Sequence, residues 1–318
     1  MARHGSHRPG PLGGGRLTLL GAALALLSAA AWGTGDFCGG LATRRVPVLV
    51  SVLAVQAIGT LLALMFVLAS GEAASGGGSL AWAAAGGLGG LLGVTALYLA
   101  LSRGTMGLIA PLSGVIAAAV PVMVSVARGN PLHPAAMLGM LLALAAVVAV
   151  AMPASGDAAA TGRHPQTRER LVEWGLAAVA GIGFAGYFLG VDRAHTEGAG
   201  TWWTLLMARG AGFVVIMMFV VVLAATRRLP SFQGASRAAP VLTLSAVGDL
   251  GGNLFYVLAL GQTTLAVAVV LSSLYPVMTA LLARMFLGER LTRTALVGVA
   301  LAVGGVVLIG IGSTAASS

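Results

Sequence analysis

A chain of 318 residues that is 58% hydrophobic and only 8% charged, with a mean hydropathy of +0.96, cannot be a soluble domain. Such a domain needs about a quarter charged residues to cover its surface. The net charge of +9 comes from arginines that punctuate apolar runs and never cluster on a polar face, which excludes a nucleic-acid surface and fits topology signals instead.

Residues 1–16 carry Arg3, Arg8, Arg16 and a PGPLGGG run, a polar tail with nothing to bury that is predicted to be disordered. The apolar run after it continues to Ala42, too long for a cleaved signal segment, so it reads as an uncleaved first helix. Its single cysteine, Cys38, rules out an intramolecular disulfide and any CxxC site, and reads as small apolar filler. Roughly 20 apolar residues span the hydrocarbon core. That ruler predicts helices near 17–42, 48–70, 80–101, 105–127 and 135–153, then a polar linker at 154–171. Five more follow near 172–192, 201–225, 240–260, 264–287 and 294–311, with a short tail at 312–318. Trp82, Trp174, Trp202 and Trp203 fall near helix ends, where interfacial indoles belong.

The two groups of five are copies. Sliding residues 80–150 onto 239–309 without a gap sets Gly89 on Gly248, Gly93 on Gly252, Ser113 on Ser272 and Gly139 on Gly298. Residues 53–67 slid onto 206–220 pair Gly59 with Gly212 and Gln56 with Arg209, and GDF at 35–37 meets GYF at 186–188, so Asp36 faces Tyr187. Duplication fixes the architecture. An odd number of spans per copy sends the two copies into the membrane in opposite senses, which predicts an all-α polytopic protein of ten transmembrane helices in two inverted five-helix repeats, 17–153 and 172–311. Eleven arginines in the connections after odd-numbered helices, against five on the other face, place both termini outside.

Charges within spans are costly and mark a cavity or a partner. Arg209 is the ninth residue of helix seven and Asp249 the tenth of helix eight, about 13 and 15 Å in from opposite faces at ~1.5 Å per residue. Both are predicted to line a central cavity, with Arg209 offering its planar fork to a carboxylate or phosphate. Asp249 or Asp36 would hold an amine or a coupling proton, because a carboxylate out of water needs one or the other. The bland alternative is an Arg209–Asp249 pair that staples helices seven and eight. Asn253 and Tyr256 share a helix face with Asp249, Trp32 lies one turn before Asp36, and Gln56 and Tyr187 complete the predicted substrate-binding set. Glu289 and Arg290 read as a surface pair at a helix end, and Arg284 as a side chain reaching the same interface. The five histidines sit in tails or loops without metal-ligand spacing, no phosphate loop occurs, and Ser272-Ser273 reads as packing glue.

The tandem repeat, the AWG of helix one, Arg209 within LLMARGAG, and LSSLYPVMTALLARMFLGERLT with Pro276 and Gly288-Glu289-Arg290 together resemble the EamA family of the drug/metabolite transporter superfamily, over nearly all of 17–311. In the first copy Asn130-Pro131 stands where the glutamate and arginine would be, so the two copies are not expected to act alike. The resemblance implies a ten-helix carrier of small metabolites or drugs, usually an exporter, with both termini in the cytoplasm; the arginine count gives the opposite orientation. The expectation is a secondary active transporter of the cytoplasmic (inner) membrane, with a small-molecule substrate and lipid as partners. It would work by alternating access, with no cofactor and with a proton or substrate gradient as its drive. The first substrate class is a zwitterionic or anionic, amino-acid-like metabolite resting on Arg209 opposite Asp249. An alternative is efflux of cationic or lipophilic drugs through the aspartates. From another class comes a non-transporting membrane protein, such as a lipid-modifying enzyme or an assembly subunit, and a lipid enzyme would show catalytic residues grouped at one interface.

Overall fold

The computed structural model describes residues 11–102, 106–129, 133–151, 167–287 and 293–315. Among these it is helical, with no strand: α1 (Pro11–Thr43), α2 (Val48–Ser70), α3 (Gly77–Ser102), α4 (Met106–Ala127), α5 (Pro134–Ala151), α6 (Thr167–Thr196), α7 (Thr201–Ala225), α8 (Ala235–Leu260), α9 (Leu265–Ser272), α10 (Tyr275–Leu287) and α11 (Arg293–Ala315). In lipid only internally bonded backbone can span, which is why a chain this apolar resolves into helices. Seven stretches are long and apolar enough to cross a membrane, and three shorter ones, Ser113–Ala127, Pro134–Ala149 and Leu296–Ile309, occupy the other expected spans. Apolar side chains such as Leu61 and Leu68 of α2 and Val214 and Met218 of α7 face outward, as a lipid-facing surface requires.

Three boundaries differ from expectation. Helix α1 begins at Pro11, so it takes in the last six residues of the expected tail; proline suits a helix start because its ring pre-sets the backbone and its missing N–H is not needed there. Helix α6 begins at Thr167, inside the expected linker. The ninth expected helix is two, α9 and α10, broken at Ser273-Leu274. Pro276 has no N–H to offer the carbonyl four residues back and its ring disfavours helical backbone just before it. The chain crosses the break through a tight turn, with Leu274 N–H donating to Leu271 O (3.2 Å) and Val277 N–H to Leu274 O (2.9 Å). The first ten residues, Asn130-Pro131, most of the linker and Gly288-Glu289-Arg290 lie outside the described residues, as does the side chain of Arg284.

The halves pack by a reciprocal scheme. Helix α1 lies on α8 and its counterpart α6 lies on α3; α4 packs on α6 as α9 and α10 pack on α1; α2 meets α7, and α5 meets α11. The contacts run antiparallel. A Cβ on Gly59 would meet Arg209 while one on Gly212 would meet Gln56, and across the α5–α11 pair Gly139 lies against Ile309 and Gly305 against Ala143. Glycines let these backbones touch, the packing that membrane helices rely on where burial from water gives no drive. A Cβ on Gly248 would come within 2.8 Å of Gly35 N, and one on its counterpart Gly89 within 3.2 Å of Gly186 C, the counterpart of Gly35. Ser28 and Ser272 donate across helices to Gly252 O (2.8 Å) and Ala25 O (3.3 Å), and Cys38 is buried filler.

Gly248→Ala should therefore lower stability in detergent by about 1–3 kcal/mol through overpacking. Gly304→Ala should change it by less than about 0.5 kcal/mol, since nothing lies within 4 Å of that position. Unfolding midpoints of the two variants check this, and equal midpoints would show that the Gly35–Gly248 crossing is not tight.

Candidate functional site

Among the described residues the packing leaves a cavity of about 50 Å³, with charged side chains in its wall, between α1, α3, α6, α7, α8 and α10. Of the eight predicted residues, Trp32, Asp36, Tyr187, Arg209, Asp249 and Asn253 line it. Gln56 and Tyr256 do not. Gln56 is 1% exposed and stands behind Arg209, which donates from Nη1 to Gln56 Oε1 at 2.9 Å. Tyr256 is fully buried and donates to Phe188 O at 3.2 Å, with its ring 6.0 Å from that of Trp32. The helical spacing that put Tyr256 on the face of Asp249 was right, but α6 covers that end of the face.

Arg209 anchors the charged side. Its Nη1 forms an ion pair with Asp249 Oδ2, joining α7 to α8, while the bond to Gln56 joins α7 to α2. Gln56 and Arg209 are repeat counterparts, so this bond crosses the point where equivalent helices meet: Arg209 packs over Gly59, and Gln56 over Gly212. A guanidinium so engaged is already neutralised. Asn253 turns its Nδ2 back to the Asp249 carbonyl.

Asp36 differs. It lines the cavity from α1, yet its carboxylate has no hydrogen bond and no ion pair with a cation among the described residues, and Asp249, of like sign, bears on it. The repeat alignment explains the lopsided wall. Asp249 and Asn253 of α8 correspond to Gly90 and Val94 of α3, and all four line the cavity. Charge thus sits on α1, α7 and α8, while α3 and α6 give Gly87, Gly90, Val94, Phe184 and Phe188 with one polar group, Tyr187. Sequence reading missed Gly90 and Val94, although the same 159-residue offset that aligned the glycines marks them as partners of Asp249 and Asn253. Tyr275 could not be found that way; the break before Pro276 brings it to the wall.

Layers of side chains close the cavity along the helix axes. On one side Trp32, Phe188 and Tyr256 pack with ring centroids 4.9–6.0 Å apart. On the other, the Tyr98 hydroxyl lies 3.1 Å from Ser245 Oγ and occupies the space a Cβ on Gly39 would need, and Ser245 donates to Gly35 O at 2.8 Å. Beyond the aromatic layer the helix ends are tied together. Glu72 accepts from Trp202 N–H at 3.0 Å, at the start of α7, where a carboxylate is favoured by the helix dipole. Its other oxygen fills the place of a Cβ on Gly200. Arg128, after α4, pairs with the buried Asp192 of α6 at 2.7 Å. No sequence signal singled out either contact, because loop carboxylates are usually solvated.

A chain that is helical throughout its described residues, with apolar spans around a small charged cavity, is a multi-pass membrane protein. Residues 173–311, less than half of the chain, match the model of the EamA-like transporter family, a likeness consistent with membership of the drug/metabolite transporter superfamily. A solved crystal structure matches with a TM-score of 0.66 at 20% identity, covering 92% of this chain and 96% of the other, and 17 solved chains match in all. At that identity the likeness speaks for the fold. No curated protein matches.

The Arg209–Asp249 pair makes a prediction of its own. Arg209→Met leaves Asp249 buried without a cation and should cost about 3–5 kcal/mol, whereas Arg209→Met with Asp249→Leu should recover most of that loss. Unfolding midpoints of the single and double variants in detergent measure the difference, and a double variant no more stable than the single would mean the pair is not coupled.

Proposed function

We propose that this protein is a secondary active transporter of the cytoplasmic membrane that exports a small amine-bearing molecule, cationic or zwitterionic, in exchange for protons. The observation that carries this reading is Asp36: a carboxylate in the cavity wall without a cation or donor, while Arg209, the wall's cation, is engaged by Asp249 and Gln56. A bare carboxylate in such surroundings needs a proton or a substrate amine, and alternation between the two is proton-coupled exchange. The aromatic walls suit the body of an organic cation. This moves the cation reading ahead of the anion-on-Arg209 reading, since a carboxylate substrate would have to compete with Asp249 for the guanidinium.

The antiparallel meeting of α2 with α7 and of α5 with α11 supports two repeats of opposite orientation. A cavity of about 50 Å³ has room for only a few waters. A substrate therefore enters and leaves as one or the other closing layer parts, which is alternating access with the site held at the repeat interface. Discontinuous α9 and α10, with Tyr275 at the break, fit the broken helices that line such sites.

Proteoliposomes with an internal pH dye test this with quaternary ammonium ions and zwitterionic amino acids, which do not leak through lipid in an uncharged form. Added amine should drive protons out of the lumen, and Asp36→Asn should abolish that exchange while the protein remains folded. Exchange that persists in Asp36→Asn, or that is driven by simple organic acids and not by amines, would overturn the reading.

A further inference from the structure

Resting on the reading of Asp36 as the amine seat, we infer that the transported molecule carries a second, neutral hydrogen-bonding group, a hydroxyl or a carbonyl, and that Tyr187 binds it. Tyr187 lines the cavity from α6, is 5% exposed, and its hydroxyl is buried with no hydrogen-bond partner. Buried polar groups are nearly always paired, so an orphan in a cavity wall asks for a ligand. Two nearby phenols are satisfied within the protein, as Tyr98 shares a hydrogen bond with Ser245 at 3.1 Å and Tyr256 donates to Phe188 O at 3.2 Å. The Tyr275 hydroxyl of the same wall, like that of Tyr187, is buried without a hydrogen-bond partner.

The ring of Tyr187 is held in place. Trp32 packs edge-on at 6.1 Å and Phe188 at 6.0 Å, and Gly90 leaves just the room the ring needs, since a Cβ there would lie 3.2 Å from Tyr187 Cδ2. The hydroxyl therefore cannot swing away to find a partner elsewhere. It is also the one polar side chain that α3 and α6 contribute to the wall among the described residues. Asp36 and Tyr187 are repeat counterparts on α1 and α6, so the cavity presents a carboxylate and a phenol from equivalent positions in the two halves. A molecule with an amine at one end and a hydrogen-bonding group at the other satisfies both. The second group is neutral because the wall has no unengaged cation to receive an anion: Arg209 is already paired with Asp249.

Binding of phenethylamine, tyramine and phenylethanolamine to the purified full chain tests this, as the three share an amine and a ring and the last two add a hydroxyl at different positions. In the wild type at least one hydroxylated amine should bind about 3- to 10-fold more tightly than phenethylamine, the range of one neutral hydrogen bond. Tyr187→Phe, which keeps the ring, should erase that preference. Equal affinities in the wild type, or a preference retained in Tyr187→Phe, overturn the inference and leave the amine seat standing if Asp36→Asn still loses phenethylamine. Phenethylamine binding retained in Asp36→Asn overturns the amine seat itself. A wild type that binds none of the three at millimolar concentration overturns both.

Discussion

Backbone contact at glycine governs this fold. In water, helices associate because doing so removes apolar surface from solvent; in lipid that drive vanishes, and association depends on how closely the backbones approach. Two such approaches, Gly35 on Gly248 and Gly186 against Gly89, are counterparts under the internal repeat. They fix α1 on α8 and α6 on α3, and the space that remains between those two pairs is the cavity. Side chains too large for such crossings are turned to lipid or into the wall, as Trp32 is over Gly252 and Phe184 over Gly93.

On this near-symmetric frame the chemistry is unequal. Wall positions have counterparts at the repeat offsets, yet α1 and α8 hold Asp36, Asp249 and Asn253 where α6 and α3 hold Tyr187, Gly90 and Val94. The consequence is a lopsided site, charged on the α1 and α8 side and aromatic on the α6 side. Arg209 sits where the halves meet and touches a residue of each, Gln56 from the first and Asp249 from the second.

The closing layers are unlike in kind. Aromatic packing of Trp32, Phe188 and Tyr256 is non-directional, whereas the Tyr98–Ser245 layer is hydrogen-bonded and depends on particular contacts. Outside the aromatic layer, the Glu72 cap on α7 and the Arg128–Asp192 pair join elements from different halves.

Much of this was legible in the chain alone. Composition determined that the protein lives in lipid, glycines recurring at one offset pointed to two copies of five spans, and charges placed mid-span pointed to Arg209, Asp249 and Asp36 as members of one site. These are local or periodic properties, and lipid makes a buried charge too costly to be accidental. Only the tertiary structure decided which neighbours those charges have. Whether Arg209 is free or paired depends on α2, α7 and α8 meeting at particular depths, and one helical turn separates a wall residue such as Asn253 from a packed one such as Tyr256. That choice is made by the rotation of each helix about its axis. In a chain apolar on every face, no amphipathic stripe records that rotation, and packing against the neighbouring helices sets it.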